Sequence, residues 1–134
     1  MQNEQLFLNI PALQAKHAAK RGMPRQPPAM HTADLTQSII KYLKGRGFYA
    51  VRINCTGIYD EKTGKWRKST TERGTADIHA SVGGKHISIE IKNGDDHMSE
   101  HQKRVQEAVI NSGGIYLIVK EFSEFHQWFR AFRQ

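Results

Sequence analysis

Asp77, Glu90 and Lys92 are two carboxylates and an ammonium group that the sequence can bring together on one pair of strands. Glu90 and Lys92 are two positions apart, so on a strand their side chains point to the same side. Asp77 joins them if Gly83 and Gly84 form a two-residue hairpin turn, because that register places Asp77 directly across from Glu90. Two carboxylates that face each other repel, and a divalent cation between them would remove the repulsion.

Oxygen ligands of this kind favour Mg²⁺ or Mn²⁺, and Mg²⁺ is commonly held by one or two carboxylates together with substrate phosphates. Such an ion polarises a scissile phosphate and lowers the pKa of a bound water, while Lys92 can orient the water or neutralise charge on phosphorus. The alternative is a surface hairpin in which Glu90 and Lys92 form a solvated ion pair. Taken alone, the Glu-x-Lys pattern favours that alternative.

The elements that would position these residues alternate between strand and helix. Hydrophobic periodicity and turn residues predict a helix from an N-cap at Thr32 to Gly45, followed by strands over 48–54 and 58–69, the second broken at 62–64. The hairpin 76–92 comes next. A helix over 100–111, a strand over 115–119 and an amphipathic last helix complete the chain. Ser99 and Gln102 fit a capping box at the start of the second helix. A strand, a helix and an apolar strand form a βαβ unit, which implies one parallel pair. The predicted fold class is α/β or α+β, with a single sheet layer flanked by helices; the resemblance described below favours α/β.

Residues 1–31 are rich in proline and basic residues and lack sustained periodicity, so they are interpreted as an N-terminal arm before a domain over 32–134. With 134 residues the chain fits one domain. Cys55 is the only cysteine, which excludes an internal disulfide and favours a small buried hydrophobe at a strand end.

The chain carries a net charge of +7, which attracts polyanions. Nucleic acid is the expected partner, with an anionic membrane as the rival. No apolar run approaches the ~20 residues that span a bilayer, and the N-terminus has no leader pattern. A cytoplasmic protein that does not enter the membrane is therefore expected.

Basic and aromatic residues cluster just before Asp77. The members are Tyr59, Lys62, Lys65, Trp66, Arg67, Lys68 and Arg73, and Lys103 and Arg104 lie in the helix after the site. This mixture suits phosphate contacts with an aromatic platform for unstacked bases, although lysines at a sheet edge also deter aggregation. His79 and His86 fall on the polar face of the hairpin, where phosphate contact or plain exposure is expected.

The segments Gly74-Thr75-Ala76-Asp77 and Glu90-Ile91-Lys92, followed by Gln102 in the next helix, resemble the PD-(D/E)xK nuclease superfamily. Within it the chain is most similar to the virus-type replication-repair nuclease (VRR-NUC) domains, including their small stand-alone phage versions. The resemblance covers roughly residues 34–120. It implies a restriction-endonuclease-like core of one helix, three or four antiparallel strands, a helix and a parallel strand, with a C-terminal helix added here.

By that resemblance Asp77 and Glu90 would bind metal together with the Ile91 carbonyl, Lys92 would serve the nucleophilic water, and Gln102 would support the site. The family also places an acidic residue, typically Glu, on the first helix. Asp34 is the candidate in this chain, and its shorter side chain departs from the pattern. Ala76 stands where the family usually has Pro, which changes the backbone and leaves the triad intact.

The expected function is a metal-dependent DNA endonuclease, selective for branched or junction DNA in replication or repair. Two alternatives stay open: a nucleic-acid-binding module that does not cut, and a nuclease subunit targeted by a partner protein. A homodimer is expected, because symmetric cutting of a junction needs two sites.

Overall fold

A computed structural model describes residues 32–134. The predicted arm over residues 1–31 lies outside the described residues. The elements in chain order are α1 (Thr32–Gly45), β1 (Tyr49–Arg52), β2 (Ile58–Asp60), β3 (Lys65–Arg67), β4 (Ile78–Val82), β5 (Lys85–Ile91), α2 (Glu100–Asn111), β6 (Ile115–Val119) and α3 (Phe122–Phe132). The described part of the chain is therefore a mixed α/β structure with three helices.

The main sheet has four strands in the order β1-β4-β5-β6. The pairs β1–β4 and β4–β5 are antiparallel, and β5–β6 is parallel, so the predicted βαβ unit is confirmed. Gly83 and Gly84 both have positive φ, at 58° and 78°, as the predicted two-residue turn requires. Among residues 32–134, strands β2 and β3 pair only with each other and form a small separate hairpin.

The hydrophobic core lies on one face of the sheet. Alternation along β4 and β5 sends Ile78, Ala80, Val82, Ile87, Ile89 and Ile91 to this face, where all are buried. Helix α1 contributes Leu35, Ile39 and Leu43, and α3 contributes Phe125, Trp128 and Phe129 to the same cluster. Both helices keep their apolar residues at spacings of three and four, which is the spacing of one helical face.

The opposite face of the hairpin carries polar side chains and is covered by α2. The first turn of α2 is the predicted capping box: the Ser99 hydroxyl accepts from the Gln102 backbone N–H, and the Gln102 side chain accepts from the Ser99 N–H. This fixes where α2 begins, and it places the Gln102 side chain beside Glu90 at the end of β5.

Three sequence-based predictions differ from the structure. Thr32, expected as an N-cap, is already helical. The first strand ends at Arg52 rather than at 54, because the Asn54 side chain accepts hydrogen bonds from the Thr56 N–H and hydroxyl and turns the chain away. Cys55 was predicted to be buried and is exposed, since it falls in this turn instead of in the strand.

Candidate active site

Asp77 and Glu90 lie at the open end of the β4–β5 hairpin. Ile78 pairs with Ile89, so the same register continued by one residue sets Asp77 opposite Glu90, as predicted from the turn. Asp77 Oδ2 accepts a hydrogen bond of 2.8 Å from the Ile91 N–H, and the Asp77 carbonyl accepts one of 2.8 Å from the Ile53 N–H. The Asp77 side chain thus takes the place of a backbone acceptor where the ladder ends.

The Glu90 carboxylate is buried, with only 4% of the residue exposed. Burial and the nearby negative charge of Asp77 raise the pKa of Glu90, and the Lys92 ammonium partly opposes both effects. The ionised form of Glu90 is therefore destabilised in this position, and a cation close to the two carboxylates would stabilise it.

Lys92 brings a positive charge into the same buried place. Its ammonium lies 3.3 Å from Glu90 Oε1, 3.0 Å from Gln102 Oε1 and 3.4 Å from Asp96 Oδ2. Only 5% of Lys92 is exposed, so its three donors are directed by protein acceptors rather than by bulk water. Removing one member of a buried ion pair typically destabilises a protein by about 3–5 kcal/mol, because the other charge is left without a partner.

Gln102 joins the helix to the carboxylates. Its side-chain amide donates to Glu90 Oε1, and its amide oxygen accepts both from Lys92 and, at 2.9 Å, from the Ser99 N–H. The sequence offered two interpretations of Gln102, as the third residue of a capping box or as a support of the site. The structure has both contacts at once, so the geometry of the helix start and that of the site depend on one side chain.

Gly74 allows the loop before Asp77 to pass against α2. Its φ is +88°, and a Cβ at this position would lie 2.5 Å from the His101 carbonyl carbon and 2.8 Å from the Gln102 nitrogen. These atoms are helix backbone and cannot move aside cheaply. A glycine is therefore needed here for steric as well as conformational reasons, and it sets the spacing between Asp77 and Gln102.

Among the described residues, the Asp34 side chain forms no hydrogen bond or ion pair with the residues of the site. It is exposed in the first turn of α1. The end of β5 does approach this helix, since the Asn93 side chain donates to the Thr32 hydroxyl. Within residues 32–134, no three side chains of His, Cys, Asp or Glu are grouped closely enough to hold a metal ion by themselves.

The predicted nucleic-acid-binding residues are all exposed. Lys65, Arg67 and Lys68 lie on or just after the small β2–β3 hairpin, together with Trp66, which is 71% exposed and whose ring centroid is 5.5 Å from that of Tyr59. Arg73 and Arg104 border a groove beside the site. Lys103 pairs with Glu100 at 3.0 Å on the solvent side of α2.

Tyr116 is a residue that sequence reasoning missed. It pairs with Ser88 across the parallel β5–β6 ladder, is 9% exposed, and its hydroxyl has no hydrogen-bond partner among the described residues. Burial and the negative charges of Glu90 and Asp77 raise its pKa, so the phenol stays protonated. The single hydroxyl in an otherwise apolar strand was the available signal. Asp96, the second acid beside Lys92, was also missed, because it lies in a loop where no strand or helix periodicity indicates which way a side chain points.

Comparison with protein-family models gives no match for this chain, and a search of curated proteins gives no significant match. Among the helices of residues 32–134, none is both long and apolar enough to cross a bilayer. The site is therefore interpreted from its own chemistry.

Proposed function

We propose that this chain is a Mg²⁺- or Mn²⁺-dependent DNA endonuclease of the PD-(D/E)xK type, related to the VRR-NUC domains. The observation that carries the proposal is the convergence of Asp77, Glu90 and Lys92 at one end of a hairpin, with Gln102 in contact with Glu90 and Lys92. The order of elements in the described chain, from α1 through the antiparallel strands to α2 and the parallel β6, is compatible with a restriction-endonuclease-like core.

The donor set fits a hard divalent cation. Asp77 and Glu90 supply carboxylate oxygens from adjacent strands, and the charge of Asp77 raises the pKa of Glu90, so a cation near both would relieve a repulsion that is present without it. Two carboxylates suffice for Mg²⁺, which completes its shell with water and substrate phosphate oxygens. The Ile91 carbonyl is the further ligand that the resemblance suggests. When bound, the ion would supply Lewis acidity and lower the pKa of a water.

Lys92 and Gln102 have separate tasks in this proposal. Lys92 carries a positive charge beside Glu90, where it can balance charge that builds up on the phosphate. Exchange of its longest contact, the 3.4 Å one to the exposed Asp96, would free a donor to hold the attacking water. Gln102 holds both Glu90 and Lys92 through its two amide atoms, so it is a positioning residue. Mutation of such supporting groups in metal sites typically costs about 10–100-fold in metal affinity or activity.

DNA is the proposed substrate because the net charge is +7, the predicted cations are exposed, and Arg73 and Arg104 line the groove beside the site. The exposed pair Tyr59 and Trp66 suits unstacked bases, which occur at branches and single-stranded ends. We therefore propose selectivity for DNA structure rather than for sequence. Cutting both strands of a junction requires two sites, so a homodimer on DNA belongs to this proposal, and sedimentation with four-way DNA would test it.

A cleavage panel tests the function. Linear, flap, splayed and four-way DNA are incubated with the wild-type protein and Mg²⁺, Mn²⁺ or EDTA, and the same reactions are run with Glu90→Gln and with Glu107→Gln, an exposed acid on α2 outside the site. We expect metal-dependent cutting by the wild type and by Glu107→Gln, faster on branched DNA, and none by Glu90→Gln. DNA binding without cutting under every condition would favour a non-catalytic binding module and contradict the proposal.

A further inference from the structure

A groove of about 530 Å³ lies between α2 and the polar face of the sheet. Its floor includes His79, His86 and Ser88. His79 is two residues past Asp77 and Ser88 is two residues before Glu90, so these side chains point to the same face as the carboxylates. The groove and the candidate active site therefore lie on the same face of the sheet, and Ser88 and His101 of its lining are within two residues of Glu90 and Gln102.

The wall of the groove is one face of α2. The residues of α2 and its C-cap that line it are His101, Arg104, Val105, Ala108, Val109 and Ser112, at helical spacings of three and four. All residues of α2 are described, and none of them is fully buried. The apolar part of this face is thus incompletely covered by the sheet, which leaves room for a flat apolar group against the valines.

Polar groups lie on the floor and at the rim. The rings of His79 and His86 meet edge to face with centroids 5.0 Å apart, and His86 Nε2 is 2.8 Å from the Ser88 hydroxyl. A neutral imidazole can both donate and accept hydrogen bonds through its two nitrogens. Arg73 and Arg104 supply positive charge to the lining, against one carboxylate, that of Glu72.

A ligand that matches this lining is flat, partly apolar, able to form hydrogen bonds at its edge, and negatively charged at one end. An unpaired nucleotide has these properties, because a base carries hydrogen-bonding edges on an aromatic ring and a phosphate follows it. The volume falls within the ~300–1,000 Å³ typical of sites for small molecules. Inorganic phosphate would leave the valine wall without a partner.

We propose that this groove binds one extrahelical nucleotide of the DNA, adjacent to the phosphate at the carboxylate pair. The inference rests on the proposed nuclease function and names a subsite within it. Extruding a base costs least where the base is already unpaired. The groove would therefore give the protein a preference for branched DNA over a continuous duplex.

The test uses flap DNA in which a single 2-aminopurine is moved through the nucleotides on either side of the branch. The fluorescence of this base rises when it leaves the stack, and it is measured on protein binding in EDTA, so no cutting is needed. Ala108→Phe fills the groove from its wall, and Glu107→Phe adds the same ring to the neighbouring exposed position outside the groove. Melting curves establish that both variants are folded.

We expect the fluorescence to rise at one position with the wild type and with Glu107→Phe, and to stay low with Ala108→Phe. His86→Ala leaves the groove open and removes a floor side chain, so it should weaken flap binding on the order of tenfold, the size of a lost stacking or edge contact, and leave duplex binding unchanged. This second variant decides the question if Ala108→Phe does not fold.

Bound DNA with no fluorescence rise at any position, or a rise that Ala108→Phe preserves, would overturn the groove assignment. The same flap DNA is then incubated with Mn²⁺. Cutting without a fluorescence rise would leave the nuclease proposal standing and remove the subsite. A groove-dependent rise without cutting would leave the nucleotide site standing and contradict the nuclease.

Discussion

Asp77→Asn separates charge from hydrogen bonding at the carboxylate pair. Asparagine keeps an oxygen for the Ile91 N–H, which lies 2.8 Å from Asp77 Oδ2, and removes the negative charge that raises the pKa of Glu90. We therefore expect the metal-free variant to be more stable than the metal-free wild type. Most substitutions at a buried or half-buried polar residue have the opposite sign.

The size of the gain follows from the cross-strand geometry. Directly opposite side chains lie ~5 Å apart at Cβ, and two unit charges at ~6 Å repel by about 0.7 kcal/mol at the dielectric constant of water and about 2.8 kcal/mol at an effective value of 20. Lys92, 3.3 Å from Glu90, offsets part of this repulsion. A net gain of about 1 kcal/mol is expected, which raises Tm by roughly 3–6 °C in a domain of this size.

Thermal melts in EDTA measure the stability of the metal-free protein, and melts in Mn²⁺ measure the stabilisation by the metal. Asp77→Ala is the matched variant. Alanine removes the charge and also the acceptor of the Ile91 N–H, which costs about 1–3 kcal/mol, so it should not share the gain. Saturating Mn²⁺ should stabilise the wild type by about 1–3 kcal/mol and Asp77→Asn by much less. If metal-free Asp77→Asn melts below the metal-free wild type, Asp77 and Glu90 do not repel each other as described. If Mn²⁺ leaves the wild-type Tm unchanged, Asp77 and Glu90 do not form a metal site.

Three further outcomes are expected. Thermal melts in EDTA should show that the stability gain of Asp77→Asn over the wild type shrinks as pH falls from about 8 towards 4.5, the ordinary pKa of Glu. Because the pKa of Glu90 is raised in the folded wild type, the Glu90 carboxylate takes up a proton within this range and its repulsion with Asp77 is lost. Gly74→Ala should lower the free energy of unfolding in denaturant by about 1–3 kcal/mol, because its β-carbon would contact the α2 backbone at a positive φ. An unchanged midpoint would mean that the loop shifts to accommodate the methyl group. Trp66→Ala should weaken single-strand binding on the order of tenfold at low salt, whereas Tyr49→Ala, at a similarly exposed aromatic residue on β1, should not; equal losses would show that Trp66 is not a stacking platform.

Local chemistry made much of the fold predictable. Two glycines between alternating stretches determine the β4–β5 register, because a two-residue turn leaves one pairing that keeps the isoleucines together. Ser99 and Gln102 determine where α2 begins, since their capping box is a contact between residues three apart. The neighbouring positions of Asp77 and Glu90 follow from that register alone.

Contacts between distant segments were not predictable in the same way. The approach of Gly74 to the α2 backbone and the pairing of Lys92 with Asp96 depend on how loops lie after the sheet and helices have packed. Tyr116 came beside Ser88 only through the parallel register of β6, which no turn between the two strands specifies. Cys55 was placed wrongly because a side-chain turn at Asn54 ended the strand earlier than its composition indicated.

We propose that Asp77 organises catalysis rather than DNA binding. The most direct measurement is the cleavage rate of branched DNA in Mn²⁺ by wild type and Asp77→Asn, with the DNA affinity of both proteins determined in EDTA. We predict that cutting falls by more than about 100-fold, since even supporting groups of metal sites are worth about 10–100-fold, while affinity is unchanged or tighter because a negative charge near phosphates is gone. A variant that binds DNA as predicted and still cuts at nearly the wild-type rate would contradict the claim.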